Sequence, residues 1–223
     1  MEKIDIYCER VDPHFWAEPW NAITNAAFII AALVCWRVAA RTNRIEVLTM
    51  LLVVNLMAIG VGSFLWHTYA EPWAGAADTI PILTFILIYL FAAVLRFLGQ
   101  PVWVALVAPF AFIGFALGFV SFWNAYLPSV NGSQGYFPVL LLLGGFGFLL
   151  YRRGHPAATS LVAAAALLSL SLTLRSVDEA LCHAIPIGTH IWWHMLNGLL
   201  LGVVLMAFIR HGAPALDQDG SRS

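Results

Sequence analysis

The 223-residue chain is 61% hydrophobic and only 10% charged, with a mean hydropathy of +0.83. Soluble proteins carry about 25% charged residues, so this composition excludes a soluble globular domain. Eleven Lys and Arg against 12 Asp and Glu give a net charge of −1, which excludes a basic surface of the kind that binds nucleic acid. Three cysteines exclude a disulfide-dense secreted scaffold. The class that remains is a polytopic membrane protein.

Seven segments are apolar enough to cross a bilayer as helices, which takes about 20 residues each. The predicted spans are 20–40, 46–67, 78–98, 102–122, 136–151, 157–175 and 188–209. The fifth is the weakest because it is short and contains three glycines. We therefore predict an all-α fold, a seven-transmembrane-helix bundle over residues 20–211. An acidic segment (1–19) precedes the bundle, and a disordered tail (212–223) follows it.

The distribution of Lys and Arg predicts the orientation of the bundle. Three of these residues fall on the side of the N-terminus and eight on the opposite side. The eight are Arg37, Arg41, Arg44, Arg96, Arg152, Arg153, Arg210 and Arg222. We therefore expect the N-terminus outside and the C-terminus in the cytoplasm. The first 19 residues lack the apolar core of a signal peptide, so the first span is expected to act as the insertion signal.

Polar residues that can do chemistry collect near the ends of three predicted spans. Ser63 and His67 are four residues apart at the end of the second span, so they share one helix face. Asp78 begins the third span, and His190 and His194 form a second i, i+4 pair at the start of the seventh. Because alternate spans run in opposite directions, all five residues are predicted at one depth of the outer leaflet. Ionisable residues at such a depth are functional candidates.

Three imidazoles with an open fourth position are typical of a catalytic zinc site, where the metal lowers the pKa of bound water to about 7. Neutral nitrogen ligands favour zinc. In this interpretation Asp78 accepts the proton of that water or orients a ligand histidine. Ser63 donates a hydrogen bond to a developing oxyanion. The alternative is a set of interfacial histidines that are hydrated by water, beside an ordinary aromatic belt formed by Trp192 and Trp193.

Carboxylates also gather before the first span. Glu9, Asp12 and Glu18 supply oxygen ligands of the kind that bind calcium. The alternative is helix-start chemistry alone, because Pro19 falls in the first turn and an acidic group favours the positive end of a helix. The sequence leaves both interpretations open.

The remaining polar candidates have structural interpretations. Cys8 and Cys182 are both predicted outside, where a disulfide is permitted, and two free thiols are the alternative. Cys35 lies within the first span and is expected to be a packed thiol. Arg175 and Asp178, three residues apart, suit an internal ion pair, and contact of the arginine with a lipid headgroup is the alternative.

Several of these residues lie in stretches that resemble the alkaline ceramidases, a family of seven-span membrane proteins whose superfamily includes adiponectin-receptor-like proteins. The stretches occur in the expected order over nearly the whole chain. They are Tyr7-Cys8-Glu9-Arg10, Glu18-Pro19-Trp20-Asn21-Ala22-Ile23-Thr24-Asn25, Gly62-Ser63-x-x-x-His67, Asp78-x-x-Pro81 and His190-x-x-x-His194.

The resemblance implies a zinc-dependent amidase. Its substrate would be ceramide, or a related long-chain lipid amide that enters from the bilayer, and its products a fatty acid and a sphingoid base. His67, His190 and His194 would be the zinc ligands, and Ser63 and Asp78 the catalytic pair. The alternative function is a seven-span receptor or sensor with a structural zinc site and no ceramide turnover.

The resemblance also bears on calcium, on the cysteines and on location. Calcium is implied at Glu9 and Glu18, but Ile6 and Val11 stand where animal members carry an Asp and an Asn. Asp5 or Asp12 would then have to substitute. The two outer cysteines fit the family. The short chain is similar to bacterial members, which implies the inner membrane with the active site toward the periplasmic leaflet.

Overall fold

The computed structural model describes residues 3–212, and these form a helical bundle. Its α-helices are α1 (Pro19–Thr24), α2 (Ala26–Arg41), α3 (Val47–Tyr69), α4 (Pro72–Arg96), α5 (Val102–Tyr126), α6 (Phe137–Arg152), α7 (Ala158–Ser176), α8 (Asp178–Leu181) and α9 (His190–His211). Seven candidate spans result, and the described residues contain no strand. The all-α, seven-span prediction is confirmed. Of the predicted tail, only Gly212 belongs to the described residues.

Two of the predicted span starts differ from the observed ones by three residues or more. The third span begins at Pro72 instead of residue 78, because Glu71 and Pro72 start the helix before the apolar run begins. Asp78 therefore lies in the second turn of α4 rather than at its tip. The fifth span begins with a 3₁₀ turn over Ser133–Tyr136 that leads into α6. This turn lengthens the weak segment to a 20-residue span, Ser133–Arg152.

The first span is divided at Asn25 into the short α1 and the longer α2. The N–H groups at the start of a helix have no partner inside it. Here the carboxylate of Glu9 accepts hydrogen bonds from the backbone N–H groups of Trp20 (2.7 Å) and Asn21 (2.8 Å). The N-terminal segment, residues 3–18, is thereby attached to the start of the first span.

Helices α3 and α4 are in close contact at Gly62. A Cβ atom at this position would overlap the backbone carbonyl oxygen of Ala77, so only glycine allows this packing. The contact brings Ser63, the next residue of α3, alongside Asp78, the next residue of α4. The fold thus positions two of the predicted site residues through a backbone contact.

The N-terminal segment lies across the end of the bundle that contains the last residues of α3 and the first residues of α4 and α9. We call this end the site end. A disulfide joins Cys8 to Cys182, in agreement with the first of the two alternatives above. Lys3 forms an ion pair with Glu71 at 2.8 Å. Cys35 is a buried free thiol, as predicted.

Candidate metal centre and active site

Three histidines from two helices meet at the site end. One ring nitrogen from each of His67, His190 and His194 lies within 4.8 Å of the others. All three side chains are at most 2% exposed. His67 comes from the last turns of α3, and the other two come from adjacent turns at the start of α9. This group of nitrogen atoms can hold a metal ion.

The hydrogen bonds of the histidines leave ring nitrogens free for a metal. His190 Nδ1 and His194 Nε2 are buried without a hydrogen-bond partner among the described residues. Leaving a buried polar atom unpaired costs about 1–3 kcal/mol, and protein interiors rarely do so. The Nδ1 atom of His194 contacts Thr24 Oγ1 at 2.9 Å. The free atoms and the donor set of three imidazoles fit zinc.

His67 is oriented by a buried carboxylate. Its Nδ1 lies 2.6 Å from Glu18 Oε2, and Glu18 Oε1 lies 2.6 Å from Arg10 Nε. A carboxylate on the second ring nitrogen is the usual support for a zinc-binding histidine. Burial by itself would raise the pKa of Glu18, but the hydrogen bonds and charges of His67 and Arg10 outweigh it and hold this pKa below its usual value.

Ser63 and Asp78 lie beside this group. Ser63 is buried one turn before His67 on the same face of α3, and its hydroxyl is next to the Asp78 carboxyl. Asp78 is partly buried. The structure therefore brings together all five residues that the sequence predicts at one depth.

The three predicted calcium ligands each have a different set of hydrogen-bond partners. The carboxylates of Glu9 and Glu18 have the partners described above, and Asp12 is exposed and accepts from the backbone N–H of His14 at 2.8 Å. Within residues 3–212, the group of three histidines is the one set of His, Cys, Asp or Glu side chains placed to share a metal.

The predicted ion pair between Arg175 and Asp178 is wrong. Helix α7 ends at Ser176, so the helical i, i+3 spacing is lost before Asp178. Asp178 is buried and accepts hydrogen bonds from the backbone N–H groups of Thr189 (2.5 Å) and His190 (2.9 Å). Its role is still structural, because it holds the start of α9.

Arg175 points instead toward the loop before α6. Its guanidinium donates to the carbonyl oxygen of Asn131 (2.5 Å) and to Ser133 Oγ (3.0 Å). It also lies 5.7 Å from the ring centroid of Tyr136 and 5.4 Å from that of Trp193, which is the geometry of cation–π contacts.

Two contacts of the site were not predicted from the sequence. Thr24 contacts His194, and Tyr7 stacks on the ring of His190 with centroids 3.8 Å apart. Burial raises the pKa of Tyr7 to about 12, so its hydroxyl stays protonated at neutral pH. Tyr7 and Thr24 both lie in stretches that resemble the alkaline ceramidases, but each contact joins segments more than 160 residues apart, which spacing along the chain does not indicate.

The comparison with protein families agrees with this arrangement. The model of the family described as Ceramidase matches residues 5–219, nearly the whole chain. The chain belongs to the ceramidase family. The search of curated proteins returned no match. Ceramidase membership implies a membrane-embedded hydrolase that acts on the amide bond of a lipid.

Two apolar cavities lie within the bundle. The first lies between α2, α3, α4, α6, α7 and α9, and its lining includes Trp193 and Asn197, which flank His194 on α9. A second cavity continues from it past Phe85 and Tyr89. The two cavities share four lining residues, which are Ile86, Val139, Leu200 and Leu201. Their lining is mostly apolar, which suits a hydrocarbon chain.

Proposed function

We propose that this protein is a zinc-dependent intramembrane amidase. It hydrolyses the N-acyl bond of ceramide, or of a related long-chain lipid amide, to a fatty acid and a sphingoid base. The observation that carries the proposal is the group of three buried histidines, two of which have a ring nitrogen without a hydrogen-bond partner among the described residues, next to a hydroxyl and a carboxyl group. A purely structural metal site has no need of the last two groups.

His67, His190 and His194 would hold the zinc ion. When bound there, zinc supplies a polarised amide carbonyl and a water whose pKa is lowered toward 7. Glu18 and Thr24 hold the rings of two of these histidines from outside through their Nδ1 atoms.

Asp78 and Ser63 are the residues that we assign to the chemistry. The Asp78 carboxylate takes one proton from the attacking water as its oxygen bonds to the amide carbon. The same proton passes to the nitrogen as the C–N bond breaks, so the amine leaves neutral and the acyl group leaves as the acid. The Ser63 hydroxyl donates a hydrogen bond to the carbonyl oxygen while that oxygen carries negative charge.

The lipid reaches this site from the bilayer. The apolar cavities inside the bundle accept the long chain of the lipid. Following the Lys and Arg distribution, we assign the site end to the outer leaflet of a bacterial inner membrane, with the C-terminus in the cytoplasm.

The test is fatty-acid release from a panel of ceramides and other N-acyl lipids, with bound zinc measured on the same samples. We expect His194→Ala to lose both zinc and turnover, and Asp78→Ala to keep zinc and lose turnover. His183→Ala is the matched control, because this histidine is exposed in the loop before α9 and should retain both.

Two outcomes would contradict the assignment. Equal turnover in Asp78→Ala and wild type would remove Asp78 from the mechanism. Zinc bound by the wild type without release from any lipid of the panel would instead favour the receptor-like alternative, in which the metal is structural.

A further inference from the structure

Arg10 is a buried cation at the point where three segments meet. Only 4% of its surface is exposed. Its Nε donates to Glu18 Oε1 at 2.6 Å, its Nη2 to the carbonyl oxygen of His67 at 3.0 Å, and its Nη1 to that of Asp12 at 3.3 Å. We propose that Arg10 is a positioning residue of the metal centre and a built-in cation that takes the place of bound calcium.

Two of the three carboxylates suggested for calcium are already occupied, and the third, that of Asp12, is exposed and accepts from the backbone N–H of His14. Both oxygens of Glu9 accept backbone N–H groups at the start of α1. Glu18 Oε1 accepts from Arg10, and Oε2 contacts His67 and Asn21. Calcium requires six to eight oxygen ligands, with carboxylates among them. These residues do not fit a calcium ion, because their oxygens are committed and a guanidinium already neutralises Glu18.

The arginine also performs the structural task of a cation. A guanidinium offers five N–H donors in a fixed plane, whereas an ammonium group is a single point charge. Here the donors reach a carboxylate and two backbone carbonyl oxygens, so one side chain joins the N-terminal segment, the start of the first span and the end of α3. A buried ion pair is tolerated when additional hydrogen bonds of this kind satisfy its donors.

This cation controls the geometry of His67 from two sides. Through Glu18 it acts on the ring, since the other carboxylate oxygen meets His67 Nδ1 at 2.6 Å. Through its own Nη2 it holds the backbone of the same residue. This inference rests on the proposed zinc site, because it assigns to Arg10 the orientation of one zinc ligand.

Calcium dependence is tested on purified protein that is stripped of all metals and then given back zinc alone. Calcium is added up to about 10 mM, above the weakest range of protein calcium sites. We expect the melting temperature and the rate of fatty-acid release to stay unchanged. A melting temperature that rises with calcium in the wild type would overturn the proposal.

The role of Arg10 is tested with Arg10→Ala and Arg10→Lys. Loss of an outer partner of a metal ligand typically lowers metal affinity 10- to 100-fold. We expect a loss of about 10-fold or more for alanine, measured as zinc affinity by chelator competition, and a smaller loss for lysine. Millimolar guanidinium should restore part of the affinity of Arg10→Ala.

Arg96→Ala is the matched control, because Arg96 forms a partly buried ion pair with Glu46 at the opposite end of the bundle. It should keep wild-type zinc affinity and show no response to guanidinium. Wild-type zinc affinity in Arg10→Ala would refute the positioning role. If the alanine variant does not fold, wild-type affinity in the lysine variant refutes it equally. Zinc affinity is measured without substrate, whereas the amidase proposal is tested by turnover. The two proposals can therefore fail independently.

Discussion

Thr24 offers a sharp test of how the protein holds a zinc ligand. Its Oγ1 contacts His194 Nδ1 at 2.9 Å and the carbonyl oxygen of Trp20 at 2.8 Å. A carbonyl only accepts, so the single hydroxyl proton points to Trp20 and the hydroxyl oxygen accepts from His194. His194 therefore carries its proton on Nδ1, which leaves the Nε2 lone pair free. Thr24→Val keeps the shape of the side chain but removes this acceptor.

The size of the expected effect follows from these contacts. Without Thr24 Oγ1, the Nδ1–H of a fully buried ring has no acceptor in the described structure, and such a loss costs about 1–3 kcal/mol. Loss of an outer hydrogen bond to a metal ligand lowers affinity 10- to 100-fold, which is about 1.4–2.7 kcal/mol. The second figure is the one that applies to zinc affinity, because the first is a cost to stability that the metal-free protein bears as well. We therefore expect zinc affinity to fall at least tenfold in Thr24→Val.

The assay is zinc affinity by chelator competition, with fatty-acid release at saturating zinc as a second readout. Thr24→Ser keeps the hydroxyl and should remain near wild type. Thr42→Val is the matched control, because Thr42 also donates to a backbone carbonyl, that of Val38 (2.8 Å), but forms no hydrogen bond with a histidine within residues 3–212. Thr24→Val with wild-type zinc affinity would refute the inferred proton position and the role of Thr24.

Two further predictions concern the fold around the site. Gly62→Ala should lower the melting temperature and the turnover together, because the new methyl group must push α3 from α4 at an overpacking cost of about 1–3 kcal/mol. Gly114→Ala, in an open position of α5, should be neutral or stabilising, and equal behaviour of the two variants would contradict the close-packing argument. The double variant Cys8→Ser, Cys182→Ser should lose about 2–5 kcal/mol of stability and lose activity, because Tyr7, the neighbour of Cys8, then packs less firmly on His190. The measurement is thermal unfolding with and without reductant. Cys35→Ala should keep the response to reductant. A double variant that melts at the wild-type temperature would show that the disulfide adds no stability.

The architecture and the histidine group could be predicted because they depend on local patterns. The depth of a residue in the bilayer follows from the length of apolar chain around it. The i, i+4 spacing puts His190 and His194 on one face of one helix, and alternating span direction brings His67 to the same end. Each of these steps, except the counting of the spans, uses only residues that are near one another in the chain.

The failed prediction shows where local patterns stop. Arg175 and Asp178 were expected to pair because they are three residues apart, but the helix ends between them at Ser176. A hydrophobic pattern does not specify such an end. Beyond it, the Asp178 carboxylate accepts from the backbone N–H of Cys8 in the N-terminal segment and from that of Thr189 at the start of α9, and neither segment is near Arg175 in the chain.

The sequence by itself determined the membrane class, the seven spans and the set of side chains that meet at one end. Only the tertiary structure decided which partners hold them. Glu18 reaches His67 across 49 residues of sequence, Thr24 reaches His194 across 170, and Arg10 reaches the His67 carbonyl across 57. Hydrogen bonds are short and directional, so depth in the membrane cannot specify them. They form only where the packed helices and the bridged N-terminal segment bring donor and acceptor within about 3 Å.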